Sequence, residues 1–106
     1  MTPIDAGTAR FIEAAQRAPR LSRDEERALF ERARAGDRAA RERFVTAHLR
    51  EVVFVALKHR RYGVAVADLV AEGNLGLLRA VEKFDPDRGV RFATYAAHWI
   101  RSYVVA

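Results

Sequence analysis

Residues 88–103 interleave aromatic and basic side chains. If this segment is helical, its rings spread further around the helix than one buried stripe can hide, so some must reach the surface. The rings belong to Phe92, Tyr95, His98, Trp99 and Tyr103, and the cations to Arg88, Arg91 and Arg101. Single-stranded nucleic acid binds to such combinations, because cations neutralise phosphates and ring faces stack on unpaired bases. The alternative is that Trp99 and Tyr103 fill the core, which is the commoner fate of large aromatic side chains. We expect Trp99 to be partly buried and Tyr95 and His98 to be more exposed.

A second candidate surface lies on the preceding predicted helix. Its outward residues follow one another at steps of four, three and four positions: Asp68, Glu72, Leu75 and Arg79. Two interpretations remain open: a solvated charged face with one stray leucine, or a protein-docking face whose apolar centre is ringed by charge. Two glycines in the same helix cost about 1 kcal/mol each relative to alanine, and close packing of a neighbouring helix would compensate for them.

Catalytic and metal-binding patterns are missing from the sequence. The chain contains no cysteine, no glycine-rich phosphate loop and no zinc-protease motif with two histidines around a glutamate. Neither Ser22 nor Ser102 has a histidine at a spacing that favours a nucleophile. His48 and His59 lie on a different predicted helix from His98, so the three histidines do not form a ligand set. We therefore predict that the protein is not an enzyme and that it has no catalytic residue, metal or cofactor.

Length and charge favour one small domain that contacts a polyanion. A chain of 106 residues has the usual size of a single domain. The net charge is +5, but residues 68–82 carry −2 between basic segments at 37–61 and 83–106. An acidic segment would be repelled from nucleic acid and is better suited to a protein partner. Because no membrane-spanning or secretory segment is apparent, we expect a cytoplasmic protein without membrane contact.

The apolar periodicity predicts an all-α protein, a compact bundle of about five helices, because strand signals are nearly absent. The predicted helices span residues 8–18, 22–35, 38–61 and 68–84, and a fifth begins at residue 91 or 92. The expected buried stripe of the fifth helix is Ala93, Ala97, Ile100 and Val104.

Several residues predict where these helices begin and end. Ser22 and Glu25 match a capping box, in which two otherwise unpaired backbone donors are satisfied. Gly36 followed by Asp37 predicts a tight corner between two helices. Asp68 is the expected N-cap of the fourth helix.

Two stretches in the second half of the chain carry a specific resemblance. Residues 68–86 (DLVAEGNLGLLRAVEKFDP) and 88–101 (RGVRFATYAAHWIR) resemble the signature of region 2 of the sigma-70 family, the bacterial RNA polymerase sigma factors. Residues 21–29 and 48–53 resemble regions 1.2 and 2.1, especially those of heat-shock-type alternative factors. The resemblance therefore covers most of the chain.

The resemblance implies a sigma factor domain that binds core RNA polymerase and recognises and melts the promoter minus-ten element in transcription initiation. It implies one helical domain, region 1.2-like over residues 1–36 and region 2-like over 37–106. The polymerase partner would be the coiled-coil clamp of the largest subunit, and Ala71 stands where the family often has a glutamine. Together with the outward leucine, the implied polymerase-binding residues are Asp68, Glu72, Asn74, Leu75 and Leu78.

The resemblance further implies that an aromatic and polar pocket captures a flipped adenine of the minus-ten element, mainly on the non-template single strand. The pocket residues would be Arg88, Phe92, Thr94, Tyr95, His98 and Trp99. Two further predicted DNA-binding residues, Arg91 and Arg101, come from the aromatic and basic pattern of this segment. Ser102 is a third, because the resemblance implies that its position faces the minus-ten boundary. Two departures suggest weaker unaided melting and altered promoter choice: Val90 replaces an aromatic residue of primary factors, and His98 replaces the first of two tryptophans.

Two other interpretations stay open on the residues alone. A plain helical interaction module would show no preference for single strands, and a helix-turn-helix reader, hinted at by the corners at Gly36 and Gly63, would bind duplex. Neither accounts for an acidic helix beside an aromatic one. The last predicted helix keeps its apolar spacing up to the final residues, so we expect the chain to be a piece of a longer protein. We also expect the chain to bind promoter duplex poorly by itself. An anti-sigma factor is a further candidate partner.

Overall fold

Helices account for all the regular structure in the part of the chain that is described, residues 3–106 of a computed structural model. The helices are α1 (Ala6–Arg17), α2 (Arg23–Arg34), α3 (Arg38–Ala47), α4 (Leu49–Lys58), α5 (Val66–Lys83) and α6 (Phe92–Val105), with a short 3-10 turn at Pro86–Arg88. The prediction of an all-α fold is confirmed.

Short polar side chains start the first three helices, as their local sequence requires. The carboxylate of Asp5 accepts a hydrogen bond from the amide of Thr8 at 2.8 Å, and that of Asp37 from the amide of Ala40 at 3.0 Å. Ser22 and Glu25 form the predicted capping box. The corner before α3 also forms as predicted, and its glycine has a φ of 103°.

The predicted third helix is divided at His48. The backbone amide of His48 bonds to the carbonyl of Val45 instead of continuing the helical ladder, and its ring donates from Nδ1 to the carbonyl of Phe44 at 2.8 Å. This ring is buried between Phe44 and Phe92, with centroid distances of 4.8 and 4.7 Å. The apolar spacing continues through the break, so the sequence pattern could not reveal it.

The fourth predicted helix begins earlier than expected. Helix α5 starts at Val66, its N-cap is Ala65, and no side chain caps it. Asp68 lies in the first turn, where its carboxylate still interacts favourably with the helix dipole. The predicted N-cap role of Asp68 is therefore wrong, although its place near the helix start is retained.

Helices α5 and α6 approach each other closely where α5 carries glycine. A Cβ atom on Gly76 would lie 2.7 Å from the carbonyl oxygen of Trp99 and 2.8 Å from the Cα of Ile100. A Cβ atom on Gly73 would lie 2.8 Å from Val52 Cγ1. The predicted close packing of a neighbouring helix is confirmed at both glycines: Gly76 packs against the backbone of α6, and Gly73 packs against the Val52 side chain of α4.

The buried stripe on α6 matches the expected one at Ile100 and Val104 but differs from it in the first half of the helix. Phe92, Ala96, Ile100 and Val104 are buried, whereas Ala93 and Ala97 are only half-buried. The ring of Phe92 draws α6 inward because it packs against Phe44 and Phe84 at centroid distances of 4.7 and 5.1 Å. A large ring gains more from burial than alanine does, and it decided the orientation of the helix.

Candidate functional site

The outward face of α5 carries the first candidate surface. Asp68 and Glu72 are exposed, and the side chains of Leu75 and Leu78 are 51% and 40% exposed. The two leucines form an apolar patch, and the carboxylates lie one and two turns before it. The predicted outward direction of Leu75 is confirmed. We call the following residues the docking face: Asp68, Glu72, Asn74, Leu75 and Leu78.

A shallow depression of about 320 Å³ adjoins the two leucines between α5 and α6. The guanidinium of Arg79 donates to the hydroxyl of Tyr103 at 3.3 Å and to the carboxylate of Glu82 at 3.2 Å. These bonds hold Tyr103 against the side of α5, so the surface beside the leucines includes a residue from α6.

Asn74 differs from the other docking-face residues in its burial. Its side chain is half-buried, and its Oδ1 is enclosed without a hydrogen-bond donor among the described residues. An enclosed amide oxygen without a donor typically costs about 1–3 kcal/mol. Asn74 is therefore less accessible than the other four residues of the docking face, and its contact with a partner stays a prediction.

A cleft of about 490 Å³ lies where α5 ends and α6 begins. The ring of Tyr95 packs against that of Phe84 with a centroid distance of 5.4 Å, and the side chains of Thr94 and His98 are exposed. We call this space the cleft, and its lining residues are Lys83, Phe84, Asp85, Arg88, Val90, Thr94, Tyr95 and His98. It offers ring faces, cations and polar groups in one concave site.

The turn on one side of the cleft is fixed by α2. Asp85 accepts a hydrogen bond from the amide of Asp87 at 3.0 Å, and Gly89 ends the turn with a φ of 78°. Arg27 on α2 donates to the carboxylate of Asp87 at 2.5 Å and to the carbonyl of Pro86 at 3.4 Å. Although each contact is exposed and weak, together they place the turn that carries Arg88 and Val90.

Phe92 corrects the interpretation of the aromatic segment. Its side chain is 0% exposed, and the rings of Phe44, His48 and Phe84 surround it. In this structure it cannot stack on a base. It packs in the core against Phe84, which itself lines the cleft.

Arg91 is held by the protein itself. Its Nε donates to Glu26 Oε1 at 3.0 Å, and its Nη2 donates to the carbonyl of Leu21 at 3.1 Å. Glu26 is buried and also accepts a hydrogen bond from the amide of Phe92 at 3.0 Å. Arg91 therefore ties α2 to the start of α6 and does not line the cleft.

The remaining expected DNA-binding residues lie further along α6. Trp99 is half-buried, as expected, and Tyr95 falls in the same range, whereas His98 is exposed as expected. Arg101 is exposed on the next turn. Ser102 donates its hydroxyl proton to the carbonyl of His98 at 2.9 Å, which leaves only its lone pairs for a base edge.

Sequence reasoning missed three residues of the cleft wall and the residue that holds α6. Lys83, Phe84 and Asp85 line the cleft because the turn folds the end of α5 beside α6. A basic residue next to the turn was a usable signal for Lys83. No local signal could have indicated Glu26, because its partners lie 65 and 66 residues later.

The described residues contain no group of three metal-binding side chains at ligand distance. His48 and His59 each bond through Nδ1 to a backbone carbonyl one turn earlier, at 2.8 and 2.9 Å. Over residues 3–106, no helix is long and apolar enough to cross a membrane.

Comparison with known families identifies the domain that contains both surfaces. The family model for Sigma-70 region 2 matches residues 44–105, which is more than half of the chain. The chain belongs to the sigma-70 family. The matched range includes the docking face and the whole cleft, whereas α1 and α2 lie before it.

Similar proteins of this family come from several bacteria. The chain is 47% identical over 94 residues to the RNA polymerase sigma-C factor of Myxococcus xanthus, covering 89% of this chain and 32% of that protein. It is 44% identical over 105 residues to the RNA polymerase sigma factor RpoH of Rhizobium radiobacter, covering 98% and 35%. The RpoH of Caulobacter vibrioides is 42% identical over 105 residues, with the same coverage. The chain thus spans about a third of the length of these relatives, and the RpoH matches confirm the resemblance to heat-shock-type members.

Proposed function

We propose that this chain acts in transcription initiation as a sigma factor domain with two separate surfaces. The docking face binds core RNA polymerase through the coiled-coil clamp of its largest subunit. The cleft receives an unpaired base of the promoter minus-ten element. The observation that carries the proposal is the pair of exposed leucines, Leu75 and Leu78, beside two carboxylates in a chain of the sigma-70 family.

The composition of the docking face fits a protein partner. An apolar centre with polar groups at its rim is the usual anatomy of a protein interface, and most binding energy comes from the centre. The carboxylates of Asp68 and Glu72 would meet basic groups on the partner and set orientation and association rate. The same charges disfavour contact with DNA, so the polymerase and the promoter would use different sides of the domain.

The cleft fits capture of an unstacked base. Tyr95 and His98 offer ring surface, while Lys83 and Arg88 lie close enough to neutralise the flanking phosphates. Extruding a base from a duplex costs a few kcal/mol, and stacking of that base in a pocket returns roughly 1–3 kcal/mol. Polymerase and further contacts along the strand supply the rest, so melting needs no fuel hydrolysis.

Readout of duplex DNA has less support on this chain. A duplex reader places long polar side chains against base edges, but beyond the cleft the outward side of α6 offers Arg101 and a serine whose proton is already bonded. We therefore propose a preference for single strands over promoter duplex. A duplex titration at moderate salt that gave specific nanomolar affinity would contradict it.

Binding to core RNA polymerase, or to its isolated clamp helices, tests the proposal directly. Glu72→Arg reverses one charge beside the apolar centre of the docking face and is expected to abolish binding. Glu42→Arg makes the same change at an exposed position on α3 and is the matched control, expected to bind like the wild type. A folded wild type that fails to bind, or equal losses in both variants, would contradict the proposed role.

A further inference from the structure

Phe54 is an aromatic side chain on the surface of α4, away from both surfaces described above. Its side chain is 66% exposed, although Val53 and Val55 on either side of it are buried. One turn later, the Nζ of Lys58 lies 5.9 Å from the centroid of the ring. This geometry is that of a cation–π contact, which leaves much of the ring surface open to solvent.

Phe54 forms the shared wall of two shallow grooves. The groove between α4 and α6, of about 210 Å³, also contains Lys58 and Arg101. The groove between the end of α1 and α4, of about 500 Å³, also contains Arg20 and Arg50. The ring therefore stands as a ridge with basic side chains on both sides.

The charges around this ridge suit a polyanion. Four cations lie in the two grooves together with one carboxylate, that of Glu51. The centre of a protein interface is usually depleted of charged residues. Four basic side chains around one aromatic ring therefore favour nucleic acid over a protein as the partner.

The ridge continues the cleft along α6. Thr94, His98 and Arg101 lie on successive turns of α6, at steps of four and three residues. The first two line the cleft, and Arg101 lines the groove beside Phe54. A strand that leaves the cleft along this side of α6 would meet the exposed ring.

We propose that Phe54 is a second stacking platform for single-stranded nucleic acid, flanked by Arg101 on one side, by Arg20 and Arg50 on the other, and by Lys58 in both grooves. The proposal rests on the proposed function, because it extends the path of the captured strand. It adds a binding site on α4 at which a second unpaired base stacks.

Fluorescence anisotropy with a labelled oligothymidylate long enough to reach from the cleft to Phe54 tests this site on the chain as it is. Phe54→Ala removes the ring and is expected to weaken binding at least about fivefold, since one stacked base contributes roughly that much or more. Phe54→Tyr keeps a stacking ring and is expected to retain the affinity. Tyr62→Ala is the matched control, because Tyr62 is 89% exposed and lines neither groove.

A second readout reports the ring itself. The chain has one tryptophan, so Phe54→Trp adds a single fluorophore on the ridge, and stacking on a base is expected to quench the added fluorescence. Glu51→Gln removes the only carboxylate of the two grooves and is expected to tighten binding. If the fluorescence of Phe54→Trp were not quenched when the oligonucleotide binds, the platform would be overturned.

Tyr95→Ala separates this proposal from the cleft. Weaker binding in Tyr95→Ala with no change in Phe54→Ala would overturn the platform and leave the cleft standing. Weaker binding in Phe54→Ala with no change in Tyr95→Ala would support the platform and contradict the cleft. If Phe54→Ala weakened binding to core polymerase but left binding to the oligonucleotide unchanged, the site would belong to a protein partner. The platform would then be overturned.

Discussion

The carboxylate of Glu26 closes the N-terminus of α6, because its Oε2 accepts a hydrogen bond from the backbone amide of Phe92 at 3.0 Å. Arg91, at the N-cap position, makes no side-chain cap of its own and instead donates to the other oxygen of Glu26. A residue of α2 therefore performs the capping that a serine or aspartate next to the helix usually provides. It fixes the start of the helix on which Thr94, Tyr95 and His98 line the cleft.

Loss of this carboxylate should destabilise the domain. Glu26→Ala leaves the amide of Phe92 without an acceptor inside the protein, and we expect the free energy of unfolding to fall by about 2–3 kcal/mol. Glu26→Gln keeps one acceptor oxygen and should lose less. Urea denaturation measures both, and Glu31→Ala, at an exposed glutamate on the same helix, should change stability little. Equal effects at the two positions would show that the cap contributes nothing.

His48 should make stability depend on pH. Burial lowers its pKa below the ordinary value of 6.5, although the bond to Phe44 opposes this shift. The unfolded chain therefore takes up the proton at a higher pH than the folded chain does, so stability is full above pH 6.5 and falls as the pH decreases through that value. Urea midpoints between about pH 8 and about pH 5.5 measure the slope.

His48→Gln should flatten this pH dependence, whatever it does to stability at neutral pH. His98→Gln, at an exposed position, is the matched control and should keep the slope of the wild type. A wild-type slope retained in His48→Gln would assign the pH dependence to other groups.

Gly76→Ala should destabilise the packing of α5 on α6. The added methyl group meets the backbone of Trp99 and Ile100 within 3 Å, so the helices must separate, at a cost of about 1–3 kcal/mol. This exceeds the roughly 1 kcal/mol by which alanine favours a helix over glycine. Thermal unfolding measures the net effect. Gly7→Ala, where the added group meets only side-chain ends, is the control and should not destabilise the protein by such packing.

Val90→Phe should strengthen promoter opening by the assembled polymerase. Val90 lines the cleft and is 46% exposed, so a ring there would add stacking surface without displacing the core. A permanganate footprint of the minus-ten element measures opening, with Val105→Phe as the control at an exposed valine outside the cleft. Opening that is already at the level of a primary factor in the wild type would contradict the hypothesis of weak unaided melting.

Features decided within a few residues could be predicted from the sequence. The capping box at Ser22 and Glu25 and the corner at Gly36 form as expected, because their hydrogen bonds and backbone angles involve near neighbours. The close approach at Gly76 was also predictable, since glycine in a helix requires compensation. The roles of the docking face and the cleft stay predictions that the experiments above address.

Features decided between distant residues could not be predicted. The apolar spacing of residues 38–61 continues through His48. The helix is nevertheless interrupted there, where the His48 ring packs between Phe44 and Phe92. The aromatic segment offered several rings for the surface, and periodicity could not tell that Phe92 is enclosed. Choosing between burial and exposure for rings of similar size requires the positions of the other helices.

The sequence by itself determined the helical class, most helix boundaries, the outward face of α5 and the family to which the chain belongs, because these depend on residue types and short spacings. Only the tertiary structure decided which rings line the cleft, that Glu26 caps α6, and that Phe54 stands exposed among basic side chains. The physical reason is that burial and hydrogen bonding across 65 or more residues depend on how helices pack, and the pattern within one helix does not contain that information.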